Sequence, residues 1–185
     1  KDLDLHLDYI QDLDICCPIV PLGELTNGIK PVKNISRHNV IALRLDGGWL
    51  SVAANFFPNF SRVMRAAFRS SVVHSSGAGW SFPLTFYLLP LSFVWRCRWV
   101  VVIESSFWMK PKDRQPSLRQ WISHYLHKSL LGASLHRADA RIFTQSGYRK
   151  LFKVEKERSL INPAVWVDDD KIISGNVHEA RLAQL

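Results

Sequence analysis

Short apolar, β-branched runs alternate along this chain with longer segments of helical spacing. Residues 13–20, "LDICCPIV", form the first run, stopped by Pro21 and Gly23. Residues 39–45, "NVIALRL", form the second, closed by Asp46, Gly47 and Gly48. Both read as strands, and "TNGIKPVKNISRH" between them reads as loop. Residues 59–69, "NFSRVMRAAFR", read as a helix capped by Asn59 or Ser61, with Arg62, Arg65 and Arg69 on one face and Val63, Ala67 and Phe68 on another. A short strand over 72–74 ends in His74, and the uncharged run 80–95, "WSFPLTFYLLPLSFVW", reads as an apolar helix. The strand 99–103 runs into Glu104, Ser105 and Ser106. Ser117 caps a helix reaching to about Arg137, in which Trp121, Tyr125, Leu126 and Leu130 keep helical spacing. A strand over 140–146, a helix "GYRKLFK" and a final extended piece over 159–166 complete the pattern.

Strands that alternate with helices and are apolar on both faces imply a doubly covered parallel sheet, a Rossmann-like α/β fold. Crossovers in such a sheet are right-handed, so the strands' carboxyl ends share one edge, where ligands bind. The clusters Asp46-Gly47-Gly48, His74 to Gly79, Glu104-Ser105-Ser106 and Thr144 to Gly147 are therefore expected to converge on one cleft. Residues 1–166 are expected to form one domain, after which, over 167–185, the apolar pattern fades.

Composition narrows the partners. The net charge is +8, but residues 1–14 hold five aspartates against one lysine, which makes that piece −4 and leaves +12 on the rest. Such an excess attracts phosphates in lipid, nucleotide or nucleic acid. The aromatic residues are gathered in apolar runs rather than interleaved with Lys and Arg, which argues against stacking on single-stranded nucleic acid. The run 80–95 is shorter than the ~20 residues of a membrane span and carries Pro83 and Pro90, so it is expected to be buried or interfacial. Its aromatic side chains beside Arg96 and Arg98, and the row Arg62, Arg65 and Arg69 with Arg114, Arg119, Lys128 and Arg137, are the candidate contacts with an anionic membrane surface. Cys16, Cys17 and Cys97 match neither a disulfide framework nor zinc spacing and read as reduced core residues of a cytoplasmic protein. No metal site is expected. The start at Lys1, with no signal peptide, suggests a fragment.

At the expected cleft, His74 can orient a hydroxyl or meet a phosphate, or it can cap its strand. Gly77 and Gly79 let backbone N–H groups approach an anion at a helix start, or merely turn the chain. Glu104 is the central carboxylate. As a general base it needs a raised pKa, which burial beside Trp99 and Phe107 would supply; otherwise it accepts bonds from loop N–H groups. Ser146, before Gly147, reads first as an N-cap and second as a ligand contact.

The ordered motifs "SSVVHSSGAGWSFPL", "RWVVVIESSFW", "HRADARIFTQSGYRKLF" and "RSLINPAVWVDDDKI" together resemble the N-terminal, acceptor-side half of glycosyltransferase family 4, over roughly residues 39–172. Ala138, Asp139 and Ser146 match one family segment, and "INPAVWVDDDKI" resembles the run into the interdomain linker. The resemblance implies one half of a two-domain GT-B fold, with Glu104 and His74 catalytic and Asp46, Gly47, Ser75, Ser76, Gly77, Gly79, Ser105 and Ser146 binding the acceptor. It implies a nucleotide-sugar donor held by a C-terminal domain that this sequence lacks, a glycan or lipid-linked acceptor, no metal or other cofactor, and a cytoplasmic site at the inner face of a membrane. Two departures stand out: many members have a histidine where Glu104 stands, and the family's first strand and glycine loop are not visible. Without the donor half the chain is not expected to transfer sugar alone. Two other classes compete. "VVHSSGAGW" resembles the oxyanion loop of α/β-hydrolase esterases, but the required G-x-S-x-G elbow is missing, since "TQSGY" lacks its first glycine. A non-catalytic basic module binding a membrane surface or anionic ligand is the other.

Overall fold

In a computed structural model of the chain, which describes residues 10, 12–19, 39–44, 48–77, 82–104 and 117–162, there are six strands and four helices, alternating from β2 onward. In chain order these are β1 (Asp14–Pro18), β2 (Asn39–Leu43), α1 (Trp49–Arg69), β3 (Val72–Ser76), α2 (Leu84–Leu91), β4 (Arg98–Ile103), α3 (Leu118–Arg137), β5 (Ala140–Phe143), α4 (Ser146–Phe152) and β6 (Ser159–Ile161). Every strand pair is parallel. β1 and β2 form one small sheet, and β3-β4-β5-β6 form a second in that order. The fold is α/β and Rossmann-like, as the alternation of patterns predicts.

The core explains why β4 is so apolar. Val101, Val102 and Ile103 are consecutive and all buried. Neighbouring strand residues point to opposite faces, so both faces of the sheet are covered there. Trp99, Ile103 and Phe143 from the strands join Leu131 and Leu135 of α3 and Phe86, Leu88 and Leu91 of α2 in one cluster. Thr85, Phe86, Tyr87, Leu88 and Leu91 of α2 are buried, so this stretch of the run 80–95 is core and offers no lipid contact. Phe93 is exposed, but the Arg137 guanidinium lies 4.4 Å from its ring centre while Nη2 donates to the Ser92 carbonyl at 2.6 Å.

α1 starts ten residues before the expected position. Gly48 precedes it with φ +125°, a conformation that side chains disfavour, and Pro58 lies inside it. An interior proline costs about 3 kcal/mol. The helix continues through it because Val52, Asn59, Val63, Ala66 and Ala67 are all buried on one face. Asn59 is not a cap. Its side chain accepts from the Arg44 N–H at 2.9 Å and donates to the Arg44 carbonyl at 3.2 Å, fastening α1 to the end of β2. Phe68, placed by its spacing on the apolar face, is exposed.

α3 has the Ser117 cap that its sequence predicts, completed into a capping box: Ser117 Oγ accepts from the Gln120 N–H and Gln120 Oε1 accepts from the Ser117 N–H. Of the residues that keep its helical spacing, Trp121, Tyr125 and Leu126 are exposed, and the packed face is His127, Leu131, Ser134 and Leu135. α4 begins at Ser146 itself, with Gln145 at the N-cap and no side-chain cap bond, so Ser146 is not the cap. Among the described residues, no helix is long and apolar enough to cross a membrane.

Candidate functional site

The carboxyl edge of the larger sheet is laid out by its register. Ser76 pairs with Val102, Ile103 with Phe143, and Phe143 with Ile161. One step further, Glu104, Thr144 and Asn162 form the next row across the edge. That row is fastened from behind: the Thr144 N–H donates to the Ile103 carbonyl at 3.1 Å, its hydroxyl lies 3.2 Å from the carbonyls of both Ile103 and Glu104, and the Asn162 N–H donates to the Phe143 carbonyl at 2.9 Å. Glu104 therefore stands on a held backbone with its side chain in an exposed residue. The burial expected of it is not found, because β4 ends at Ile103 and the next residue leaves the covered part of the sheet.

Gly77 borders this row from β3. Its N–H donates to the Val102 carbonyl at 2.8 Å, continuing the ladder one residue past the strand. A Cβ here would lie 2.5 Å from a Leu131 methyl and 2.6 Å from an Ile103 methyl, so any side chain would have to displace buried core methyls.

His74 is not at the carboxyl end. β3 runs to Ser76, and His74 pairs with Val100, four residues before Glu104 on β4. At ~3.3 Å per residue, that separates the two by ~13 Å along the strand direction. The expectation that His74 and Glu104 share one cluster is corrected accordingly: two further residues of β3 pair with β4. Instead His74 lines a cavity of about 100 Å³ between the sheets, with Asp14 and Cys16 of β1, Ser70, and Val73 and Ser75 of β3. The cavity thus lies between two separate sheets, β1-β2 and β3-β4-β5-β6, which among the described residues are not hydrogen-bonded to each other.

Ser75 is buried, and its hydroxyl accepts from Trp99 Nε1 at 2.9 Å and lies 2.8 Å from Thr85 Oγ1. The Ser76 carbonyl also lies 2.8 Å from Thr85 Oγ1. Asp46, Gly47, Gly79, Ser105 and Phe107 lie outside the described residues. Ser146 is exposed at the start of α4, two residues after Thr144. The structure thus brings Glu104, Thr144, Gly77 and Ser146 toward one edge and sets His74 and Ser75 back from it.

The titrating groups around the sheet have separate causes. Burial, reinforced by Asp14 and Cys17, pushes the Cys16 thiol up to about 11, and burial also raises Cys17 and Cys97. All three thiols are free. Partial burial works against an ionised Asp139, but the Trp99 N–H and the Arg98 guanidinium outweigh it and hold this carboxyl below the usual range. Burial lowers Arg141, whose guanidinium donates to the carbonyls of Leu135 and His136 at the end of α3. Among the described residues, no group of His, Cys, Asp and Glu is arranged to hold a metal ion.

Asn59 is the positioning residue that sequence reasoning misplaced, because an Asn after a proline imitates a cap; Thr144 was expected in the cleft, and its hold on the Glu104 backbone is what the sequence does not show. Compared with known protein families and with curated protein sequences, the chain matches none.

Proposed function

We propose that this chain is the acceptor-side domain of a GT-B glycosyltransferase, moving a sugar from a nucleotide-sugar held by a second domain to a glycan or lipid-linked precursor at the cytoplasmic face of a membrane. The observation that carries the reading is the carboxyl edge of an all-parallel sheet presenting Glu104 on a backbone pinned by Thr144. The motif order that resembles family 4 supports it. In such transfer the acceptor hydroxyl must be oriented and relieved of its proton, and a carboxylate at a fixed position serves both needs. Glu104 is given that role. His74, Ser75 and the rest of the cavity between β1 and β3 lie too far back to share it, and the exposed Ser146 borders the acceptor path.

The test is transfer from a panel of labelled nucleotide-sugars to lipid and polysaccharide acceptors, using the product of the whole reading frame. Glu104→Gln is expected to lower kcat at least tenfold while the donor KM holds. Unchanged kcat removes Glu104 from the chemistry, and absence of turnover with every donor and acceptor sinks the reading itself.

A further inference from the structure

The outward face of α3 is apolar where a surface helix is ordinarily polar. Leu118, Trp121, Ile122, Tyr125 and Leu126 are 75%, 44%, 53%, 48% and 40% exposed. At 3.6 residues per turn these five fall on one side of the helix, opposite the buried His127, Leu131, Ser134 and Leu135. Trp121 and Tyr125 pack together with ring centres 4.4 Å apart, a pair with apolar bodies and polar tips. Cations edge the stripe on both sides, Arg119 on one and Lys128 on the other. Neither α3 nor α4 contains a single carboxylate, and Arg149, Lys150 and Lys153 continue the positive surface. Past Tyr125 the stripe opens into a groove of about 470 Å³ between α3 and α4, floored by Ser129, Gly132 and Ala133 and rimmed by Lys128 and Lys153.

We propose that this face docks the chain on an anionic bilayer, with α3 lying in the plane of the interface. Its apolar stripe enters the boundary between headgroups and acyl chains, and Arg119, Lys128 and Lys153 meet lipid phosphates. The dimensions favour a bilayer over a protein. The stripe's nine residues, ~13 Å of helix, are far short of the ~20–30 residues per side of a stable protein interface. A second copy would set Arg119 and Lys128 against their own likenesses. A bilayer requires no shape complementarity and supplies the opposite charge. The inference deepens the acceptor reading by naming the surface on which a lipid-linked acceptor is met, and it rests on the exposed face rather than on any transfer.

The test is co-sedimentation of the chain with vesicles of equimolar phosphatidylglycerol and phosphatidylcholine, and with phosphatidylcholine alone. Binding to the anionic vesicles at least tenfold tighter than to the neutral ones is expected. Leu118→Ser with Ile122→Ser is expected to weaken it at least tenfold, and Arg119→Gln with Lys128→Gln to remove the preference for anionic lipid. All four positions are exposed, and thermal melts of both variants check that the fold is kept. Wild-type binding by the stripe variant overturns the proposal, as does failure of the wild type to bind anionic vesicles. Sedimentation equilibrium showing a dimer that the stripe variant dissolves also overturns it, in favour of a second copy. No transfer enters these readouts, so they stand or fall apart from the glycosyltransferase assay.

Discussion

The indole Nε1 of Trp99 donates to the hydroxyl of Ser75 at 2.9 Å inside the core, across the β4–β3 pair. Trp99 is 1% exposed and Ser75 4%, so neither group has water as an alternative partner. Thr85 closes the network from α2. Ser75→Ala leaves a buried N–H without its acceptor, which costs about 1–3 kcal/mol. Urea unfolding should show a lower midpoint with an unchanged slope. A wild-type midpoint would mean that the indole finds another partner.

Two glycines near the carboxyl edge should respond oppositely to alanine. Gly77→Ala drives a methyl to within 2.5 Å of Leu131 and 2.6 Å of Ile103, an overpacking that costs about 1–3 kcal/mol. Gly147, early in α4, has nothing within 4 Å of its missing Cβ, and Gly147→Ala should be neutral or stabilising by up to about 1 kcal/mol. Thermal melts of the two variants check the contrast, and equal melting points would remove the packing argument for Gly77.

Asp139 makes part of the stability depend on pH. Its folded pKa lies below the ordinary carboxylate value, so its contribution is complete above that value and is lost as pH falls through the folded one. The gap between the wild type and Asp139→Asn should be constant above about pH 5 and close on acidification. Its size is modest, because the Asp139 side chain is 42% and the Arg98 side chain 78% exposed. Parallel stability curves at all pH values would contradict the assignment.

Cys16 should be the slow thiol. The thiolate is the nucleophile, and a pKa of about 11 leaves little of it near neutral pH. Alkylation by iodoacetamide at pH 8 is expected to be on the order of a hundredfold slower than for a free cysteine, rising with pH toward 11. Peptide mapping reads the rate at each cysteine, and fast labelling of Cys16 would show that its burial is transient.

Local chemistry was legible wherever neighbours in sequence suffice. Ser117 and Gln120 stand three residues apart and form the box that their types prescribe. The valine run of β4 could belong to a doubly covered strand, and it does. Of the site, Glu104's place just past β4 was readable from where the apolar run stops. The distance from His74 to that edge was not, because the end of β3 is set by pairing with β4, and Ser76 opposite Val102 leaves no mark near His74.

The helix α3 shows where local pattern ends and packing takes over. Its start, its length and the existence of an apolar stripe through Trp121, Tyr125 and Leu126 follow from the order of residues. Which face packs does not follow. The chain offers that stripe and, opposite it, a mixed one of His127, Leu131, Ser134 and Leu135, whose two polar members make it look the poorer core. The fold buries the second. Ser134 Oγ donates to the Leu130 carbonyl at 2.8 Å, and His127 Nδ1 lies 2.8 Å from the Ser123 carbonyl, so both polar groups are satisfied within the helix itself. Leu131 and Leu135 then join the core, and a buried polar group that already has its partner costs little. Spacing gives a helix its faces; only the surfaces packed against it determine which one is turned inward.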